Sequence, residues 1–256
     1  MKIGRWEIEC DLDDGARIGC LRFDGLDLLT TRPAEHRPPK ADCGRYETRS
    51  VYGYDDCFPT VEACGQWPDH GEVCWLRWSG TPVACNVASA LAPLYFTRRL
   101  DFEADRLRWN FAVENFGATP FPVQHVMHPL IPCEEIDAIE LPAGEGYDAS
   151  QVEADLLALL PGNARMLFLS NVTEGLVRVG FRRGLQLTLR FPTDLFPTLG
   201  VWWNNRGYPD EQGLRRSECA FEPVPGSDSK LASGTTMTVP AKGRIAWHID
   251  WEISSR

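Results

Sequence analysis

The chain has 256 residues, of which 43% are hydrophobic and 24% are charged, the proportions of a globular protein with a sizeable core. Its formal net charge of -10 argues against nucleic acid and anionic membrane surfaces as partners, because both bind basic protein faces. The amino-terminal segment lacks a signal-peptide pattern and no apolar run is long enough to cross a membrane, so we expect a cytoplasmic protein.

Nine cysteines are present, an odd number without the paired spacing of a zinc ribbon. A chain of this length does not need disulfide bonds to be stable. We therefore expect most of the cysteines to be buried thiols, as in proteins of a reducing compartment.

Alternating apolar and polar residues recur along the chain and predict β-strands. A polar turn at 103–106 is expected to join two of these strands, and Arg183–Gly184 is expected to form the tight point of a hairpin. The segments with this alternation are 2–10, 16–30, 95–117, 176–192 and 244–253.

One segment, Ser150–Leu160, has the pattern of a helix, with a polar residue at its start and Pro-Gly-Asn after its end. Many short strands with little helix predict an all-β protein built from stacked, mainly antiparallel sheets. The chain shows no repeat and no linker, so residues 1–256 are expected to form a single domain.

Three segments interrupt the alternation, at 51–78, 119–132 and 196–228. Irregular segments on a regular scaffold are where functional sites are often built. The three segments contain three of the five histidines and five of the nine tryptophans, counting Trp78 at the end of the first. We therefore look for the site in these segments.

The histidines of these segments are His70, His125 and His128. A spacing of three along a strand places His125 and His128 on opposite faces, so we do not expect both to serve one site. Pro129 disfavours helix at His128 and holds that residue extended. No HxH or HExxH motif accompanies the histidines, so neither a metal nor another cofactor is expected.

Trp202–Trp203 precedes two asparagines and an arginine, a combination that suits the apolar faces and hydroxyl rim of a sugar. Adjacent residues on a strand face opposite sides, so at most one of the two tryptophans is expected to reach a ligand, and we assign Trp203. Glu222 lies between Phe221 and Pro223. We expect these neighbours to desolvate the carboxylate and raise its pKa towards neutrality, leaving it largely ionised at neutral pH.

Motifs within these segments resemble the galactose mutarotase-like (aldose 1-epimerase) superfamily, especially its divergent bacterial members. The resemblance runs in the same order from about Val51 to Asp228 and rests on three motifs. They are GYDDCFPTVEA with PDHGEV, NFGATPFPVQHVMHPLI, and LGVWWNNRGYP with CAFEPVPGSD. It implies a β-supersandwich whose concave face binds a monosaccharide or sugar derivative without a cofactor, in a monomer or homodimer.

The resemblance also implies roles for individual residues. Glu222 matches the family's base, His128 of MHPLI matches its acid, and His70 matches the histidine that grips the sugar. His125 is a second choice for the acid or a further substrate contact. The Asn-His-Thr run and the early Asn-Arg pair of true galactose mutarotases are absent, which leaves the identity of the sugar and the retention of catalysis open.

The implied reaction is exchange of the α and β anomers of a free aldose by acid–base ring opening. We expect Glu222 and His128 to face each other across a cavity that holds one hexose ring between them. The alternatives are a non-catalytic carbohydrate-binding protein on the same scaffold, a hexose-6-phosphate 1-epimerase and a metal-dependent lyase or isomerase. A sugar phosphate would call for clustered arginines, and the chain offers pairs at 98–99, 182–183 and 215–216.

Overall fold

The structure is a computed structural model and describes residues 1–34, 45–209 and 213–256. Strands make up 50% and helices 8% of it. All pairings between the named strands of these ranges are antiparallel. The expected all-β architecture of stacked, mainly antiparallel sheets with little helix is confirmed.

Twenty strands lie in the described ranges. They are β1 (Lys2–Ile3), β2 (Trp6–Asp11), β3 (Arg17–Phe23), β4 (Leu26–Asp27), β5 (Tyr54–Cys57), β6 (Ser79–Thr81), β7 (Ala84–Ala88), β8 (Leu94–Phe102), β9 (Arg106–Asn115), β10 (Phe121–Pro122), β11 (Val126–Pro129), β12 (Ile131–Pro132), β13 (Ile136–Glu140), β14 (Asn163–Ser170), β15 (Leu176–Phe181), β16 (Leu185–Arg190), β17 (Thr198–Pro209), β18 (Arg215–Val224), β19 (Thr238–Val239) and β20 (Arg244–Ser255).

These strands form four sheets. The largest has eight strands in the order β13-β15-β16-β20-β9-β8-β7-β6, and a second has the order β12-β18-β17-β14. A third runs β1-β2-β3-β5-β11, with β4 paired to β3, and β10 pairs with β19. Strand β11 also packs along β18, which brings the third sheet against the second.

The helix α1 spans Ala149–Leu157, close to the predicted Ser150–Leu160. Its N-cap is Asp148, whose carboxylate accepts hydrogen bonds from the backbone N–H groups of Ser150 at 3.0 Å and Gln151 at 3.3 Å. The sequence analysis therefore identified the helix and missed its cap by two residues. Short 3-10 helices span Tyr46–Thr48, Val73–Trp75, Cys133–Glu135 and Leu231–Ser233.

The predicted hairpins are confirmed. Strands β8 and β9 pair around the turn at 103–106, and β15 and β16 pair around Gly184, whose φ of 78° lies in the left-handed region that glycine tolerates. Alternation in β20 buries Trp247, Ile249 and Trp251. These side chains join Trp109 of β9 in a continuous hydrophobic core.

Strand β5 carries two adjacent carboxylates into this interior, and alternation sends them to opposite faces. Asp56 lies 2.6 Å from Arg98 Nη1 and 3.0 Å from His125 Nε2, and all three side chains are fully buried. Asp55 lies 3.1 Å from Arg17 Nη1 and 3.3 Å from Arg49 Nη2, with 1% of each of these side chains exposed. Two separate buried charge networks therefore lie on opposite faces of β5.

No helix in the described ranges is both long enough and apolar enough to cross a membrane.

Replacing Asp56 by alanine is expected to lower the free energy of unfolding by about 3–5 kcal/mol, because it leaves the buried Arg98 guanidinium without its carboxylate. Urea denaturation measures this change. The matched control is Asp101→Ala, which removes an exposed ion pair with Arg99 and is expected to cost less than about 1 kcal/mol. Equal stability losses in the two variants would contradict the importance of the buried pair.

Candidate active site

A cavity of about 310 Å³ lies beside the line where β11 packs against β18. One face of the second sheet forms a wall of it, because residues from β14, β17 and β18 all line it. Its lining side chains are Tyr46, Val51, Val61, Glu62, Asp69, His70, His128, Leu130, Met166, Phe168, Trp202, Tyr208, Glu218, Glu222 and Ser229.

Glu222 of β18 and His128 of β11 meet at this cavity. His128 Nε2 lies 3.6 Å from Glu222 Oε1, and 9% of the histidine and 5% of the glutamate are exposed. The two residues are 94 positions apart in the chain, so tertiary packing alone brings them together. The expectation that a hexose ring fits between them is wrong, because the gap is too narrow. A ligand in this cavity has to approach both groups from one side.

Burial raises the pKa of the Glu222 carboxyl to about 8. The carboxyl is therefore mostly protonated at neutral pH, which corrects the expectation that it is largely ionised. The expected cause of the raised pKa, desolvation by the neighbours in sequence, is also wrong in part. Phe221 points to the opposite face of β18 and packs in the hydrophobic core. Residues distant in sequence lie near the carboxyl instead: His128 is 3.6 Å from Oε1, and Phe168 lines the same cavity.

His128 is neutral at neutral pH, because burial, aided by His70 and Arg17, holds its pKa well below the usual range. Its Nδ1 lies 3.3 Å from the hydroxyl of Tyr46, and that hydroxyl donates to Asp55 Oδ2 at 2.8 Å. Since the single tyrosine proton goes to Asp55, the tyrosine oxygen accepts from Nδ1–H. This arrangement leaves Nε2 as the nitrogen that faces Glu222 and the ligand.

His70 lines the cavity, where its ring stacks on Tyr46 with 3.8 Å between centroids and 7° between planes. Its Nδ1 lies 2.9 Å from Asp69 Oδ2, so Nε2 is the ring nitrogen that a ligand hydroxyl can use. Both His70 and the following Gly71 have positive φ angles, 62° and 70°. A Cβ at Gly71 would lie 2.2 Å from the carbonyl oxygen of Phe58, so glycine is required at this turn.

Trp202, and not Trp203, lines the cavity, which corrects the choice made from the sequence. The prediction that the two face opposite sides of a strand is confirmed, since Trp203 is 4% exposed and belongs to the hydrophobic core. Trp202 pairs with Ala220 of β18 and Met166 of β14. Its ring meets that of Tyr208 edge to face, with centroids 5.7 Å apart.

His125 lies away from the cavity, so its assignment as a second-choice acid or substrate contact is wrong. The side chain is fully buried, bonded through Nε2 to Asp56 and surrounded by Phe96, Phe111 and Trp247. Its separation from His128 agrees with the opposite faces that their spacing predicted. His125 acts as a structural partner of the Asp56 network.

The sequence analysis missed Tyr46 and Asp55, which together orient His128. Asp55 carried a usable signal: two adjacent aspartates stand in the apolar run VYGYDDCF, and carboxylates buried in a strand need cationic partners. Tyr46 lies in a segment without periodicity and carried no such signal. In the parts of the chain that the structure describes, no cluster of histidine, cysteine or acidic side chains is arranged to hold a metal ion.

No protein-family model and no curated protein sequence matches this chain. Solved structures do match it. Slr1438 from Synechocystis sp. PCC 6803 aligns at a TM-score of 0.79 and 15% identity, covering 99% of this chain and 93% of that one. A galactose mutarotase-like protein from Clostridium acetobutylicum aligns at 0.70 and 13% identity, covering 99% and 94%.

A third similar structure is a galactose mutarotase related enzyme from Lactobacillus acidophilus. It aligns at a TM-score of 0.65 and 12% identity, covering 100% of this chain and 96% of that one. Alignments that span nearly the whole of both chains at such low identity establish a shared architecture. The chain has the galactose mutarotase-like fold.

Proposed function

We propose that this chain is an aldose 1-epimerase that interconverts the anomers of a free aldose in the cavity of His128 and Glu222. The observation that carries the proposal is the 3.6 Å approach of His128 Nε2 to Glu222 Oε1 at the wall of that cavity. The anomeric hydroxyl and the ring oxygen of an aldose are bonded to the same carbon. Two proton-transfer groups side by side can therefore reach both oxygens from one face.

In the proposed reaction the Glu222 carboxylate takes the proton of the anomeric hydroxyl while the His128 imidazolium gives one to the ring oxygen. The bond between C1 and the ring oxygen breaks, and the C1–O1 bond becomes a carbonyl. Rotation about the C1–C2 bond then presents the other face of the aldehyde. Ring closure returns the proton of the former ring oxygen to His128 and the proton on Glu222 to O1, so no proton is gained or lost.

The number of protons held by Glu222 and His128 fits this cycle. The pair holds one proton on the Glu222 carboxyl beside a neutral imidazole. A carboxylate beside an imidazolium holds the same number of protons, so the reactive state forms by transfer within the pair. The contact of His128 Nδ1 with Tyr46, itself bonded to Asp55, keeps Nε2 as the nitrogen that exchanges the proton. His70 is proposed as a substrate contact through Nε2.

The lining favours an unphosphorylated sugar. Four carboxyl groups line the cavity, from Glu62, Asp69, Glu218 and Glu222, and among the described residues no lysine or arginine does. The arginine pairs noted in the sequence lie elsewhere: Arg98 is held by Asp56, and Arg183, Arg215 and Arg216 border a different cavity. Glu222 is mostly protonated at neutral pH, so the other three carboxyl groups are the ones that would repel a phosphate dianion, and no guanidinium group of the described lining would bind it.

Replacing Glu222 by glutamine is expected to slow anomer exchange by about 10²- to 10⁴-fold with the fold retained, because the proton acceptor is lost. Polarimetry or saturation-transfer NMR across a panel of free aldoses measures the rate. The matched control is Glu114→Gln, an exposed glutamate on β9, which should leave the rate unchanged. Full activity of Glu222→Gln would remove this residue from the chemistry. Sugar binding by the wild type without faster exchange would favour the non-catalytic carbohydrate-binding protein.

Glucose is expected to be a better substrate than glucose 6-phosphate by at least about tenfold in kcat/KM, because a like-charge contact costs more than ~1.4 kcal/mol. Saturation-transfer NMR of the two sugars under identical conditions measures the ratio. Comparable or faster exchange of glucose 6-phosphate would reverse the assignment in favour of the hexose-6-phosphate 1-epimerase.

The rate is expected to fall as the pH rises through about 8, the pKa of the Glu222 carboxyl. Above this pH the pair has lost its single proton, so neither group can act as the acid. The profile is measured by polarimetry after subtraction of the uncatalysed, hydroxide-dependent exchange. A catalysed rate that keeps rising well above this pH would contradict the shared-proton mechanism.

A further inference from the structure

The cavity continues beyond the acid–base pair along strand β18. Glu222 and Glu218 both line it and lie on the same face of that strand, four residues apart. At about 3.4 Å per residue this separation is roughly 14 Å, longer than one pyranose ring. A single sugar unit with its anomeric carbon at Glu222 leaves the Glu218 end of the cavity unfilled.

The register of the second sheet divides the cavity wall into rows. Glu222 pairs with Gly200, which pairs with Phe168. Two residues further along, Ala220 pairs with Trp202, which pairs with Met166. The row of Trp202 therefore starts roughly 7 Å from the row of Glu222. We call the aromatic and apolar surface formed by Met166, Trp202 and Tyr208 the Trp202 shelf. The terminal methyl group of Met166 extends from it over Gly200, towards the row of Glu222.

The Trp202 shelf exposes large apolar side chains that a folded protein normally buries. Tyr208 is 52% exposed and Met166 is 38% exposed. The rings of Trp202 and Tyr208 stand at 86° to each other, so they form two walls of a corner. Glu218 lines the cavity at the same end, so a carboxyl group lies beside these apolar side chains. Apolar faces beside a hydrogen-bond acceptor match the C–H face and hydroxyl rim of a second sugar ring.

We propose that the natural ligand is a reducing disaccharide, whose reducing unit lies at His128 and Glu222 and whose second unit packs on the Trp202 shelf. The position of the reducing unit rests on the proposed function. The second unit contributes binding without taking part in proton transfer. Trp202 is therefore a specificity residue and not a catalytic one.

The test compares glucose with maltose, cellobiose and lactose, disaccharides that share a reducing glucose. Affinities are measured by calorimetry on the Glu222→Gln variant, and anomer exchange is measured on the wild type. At least one disaccharide is expected to bind about fivefold or more tighter than glucose, the range of an added aromatic contact. Trp202→Ala in the same background should remove most of that difference and change glucose affinity less than about twofold.

Two controls make the outcome specific. Trp202→Phe keeps an aromatic face and should retain most of the preference, and Phe116→Ala removes an exposed aromatic outside this cavity and should change nothing. Equal affinity for glucose and all three disaccharides overturns the proposal. An equal loss of affinity for glucose and for the disaccharides in Trp202→Ala overturns it as well. So does an equal gain for 6-O-octanoyl-glucose, which carries an apolar chain without a second ring.

Failure of the proposed function gives a different pattern. A disaccharide preference that depends on Trp202, without accelerated anomer exchange in the wild type, supports the shelf and removes the epimerase activity. Accelerated exchange of glucose without any disaccharide preference supports the epimerase activity and removes the proposed second-sugar site on the shelf.

Discussion

Strand β5 carries two adjacent carboxylates through the interior of the protein, and the rest of the structure has to neutralise both. Removing a carboxylate from water costs several kcal/mol unless cations and hydrogen-bond donors replace the solvent. Alternation along the strand sends Asp55 and Asp56 to opposite faces, so one set of partners cannot serve both. Arg17 and Arg49 lie on one side, and Arg98 lies on the other.

The two networks explain why the neighbouring histidines differ in role. His125 is enclosed by aromatic rings and held by Asp56, so it is fixed as part of the core. His128 contacts the Asp55 network through the hydroxyl of Tyr46, and its other nitrogen is directed to the cavity. The same strand therefore fixes one imidazole in the core and orients the other towards the cavity.

Much of the fold could be predicted from the sequence, because burial of one strand face leaves a period of two in the residues themselves. The alternation of β20, the hairpin at Gly184 and the helix before the Pro-Gly-Asn turn are local patterns of this kind. The extended backbone at His128 was also local, since it follows from Pro129. For the site, the resemblance to a known family supplied Glu222, His128 and His70.

The remaining parts of the site depend on which sheet faces which. The alternation of side chains along a strand predicts that Trp202 and Trp203 point to opposite faces. Which of the two faces the cavity depends on how the sheets pack, and it is Trp202. The pKa of Glu222 shows the same limit. Its side chain is desolvated by residues distant in sequence, while its neighbour Phe221 faces the other way. Such effects are set by tertiary contacts and leave no local signal.

The cavity takes its side chains from segments spread between Tyr46 and Ser229, and hence it exists only while the chain is folded. Any molecule that occupies it binds the folded state alone and shifts the unfolding equilibrium towards that state. Each tenfold excess of ligand over its Kd adds about 1.4 kcal/mol to the apparent stability. The melting temperature thus becomes a readout of occupancy, by which a library of saccharides can be ranked without any assay of turnover.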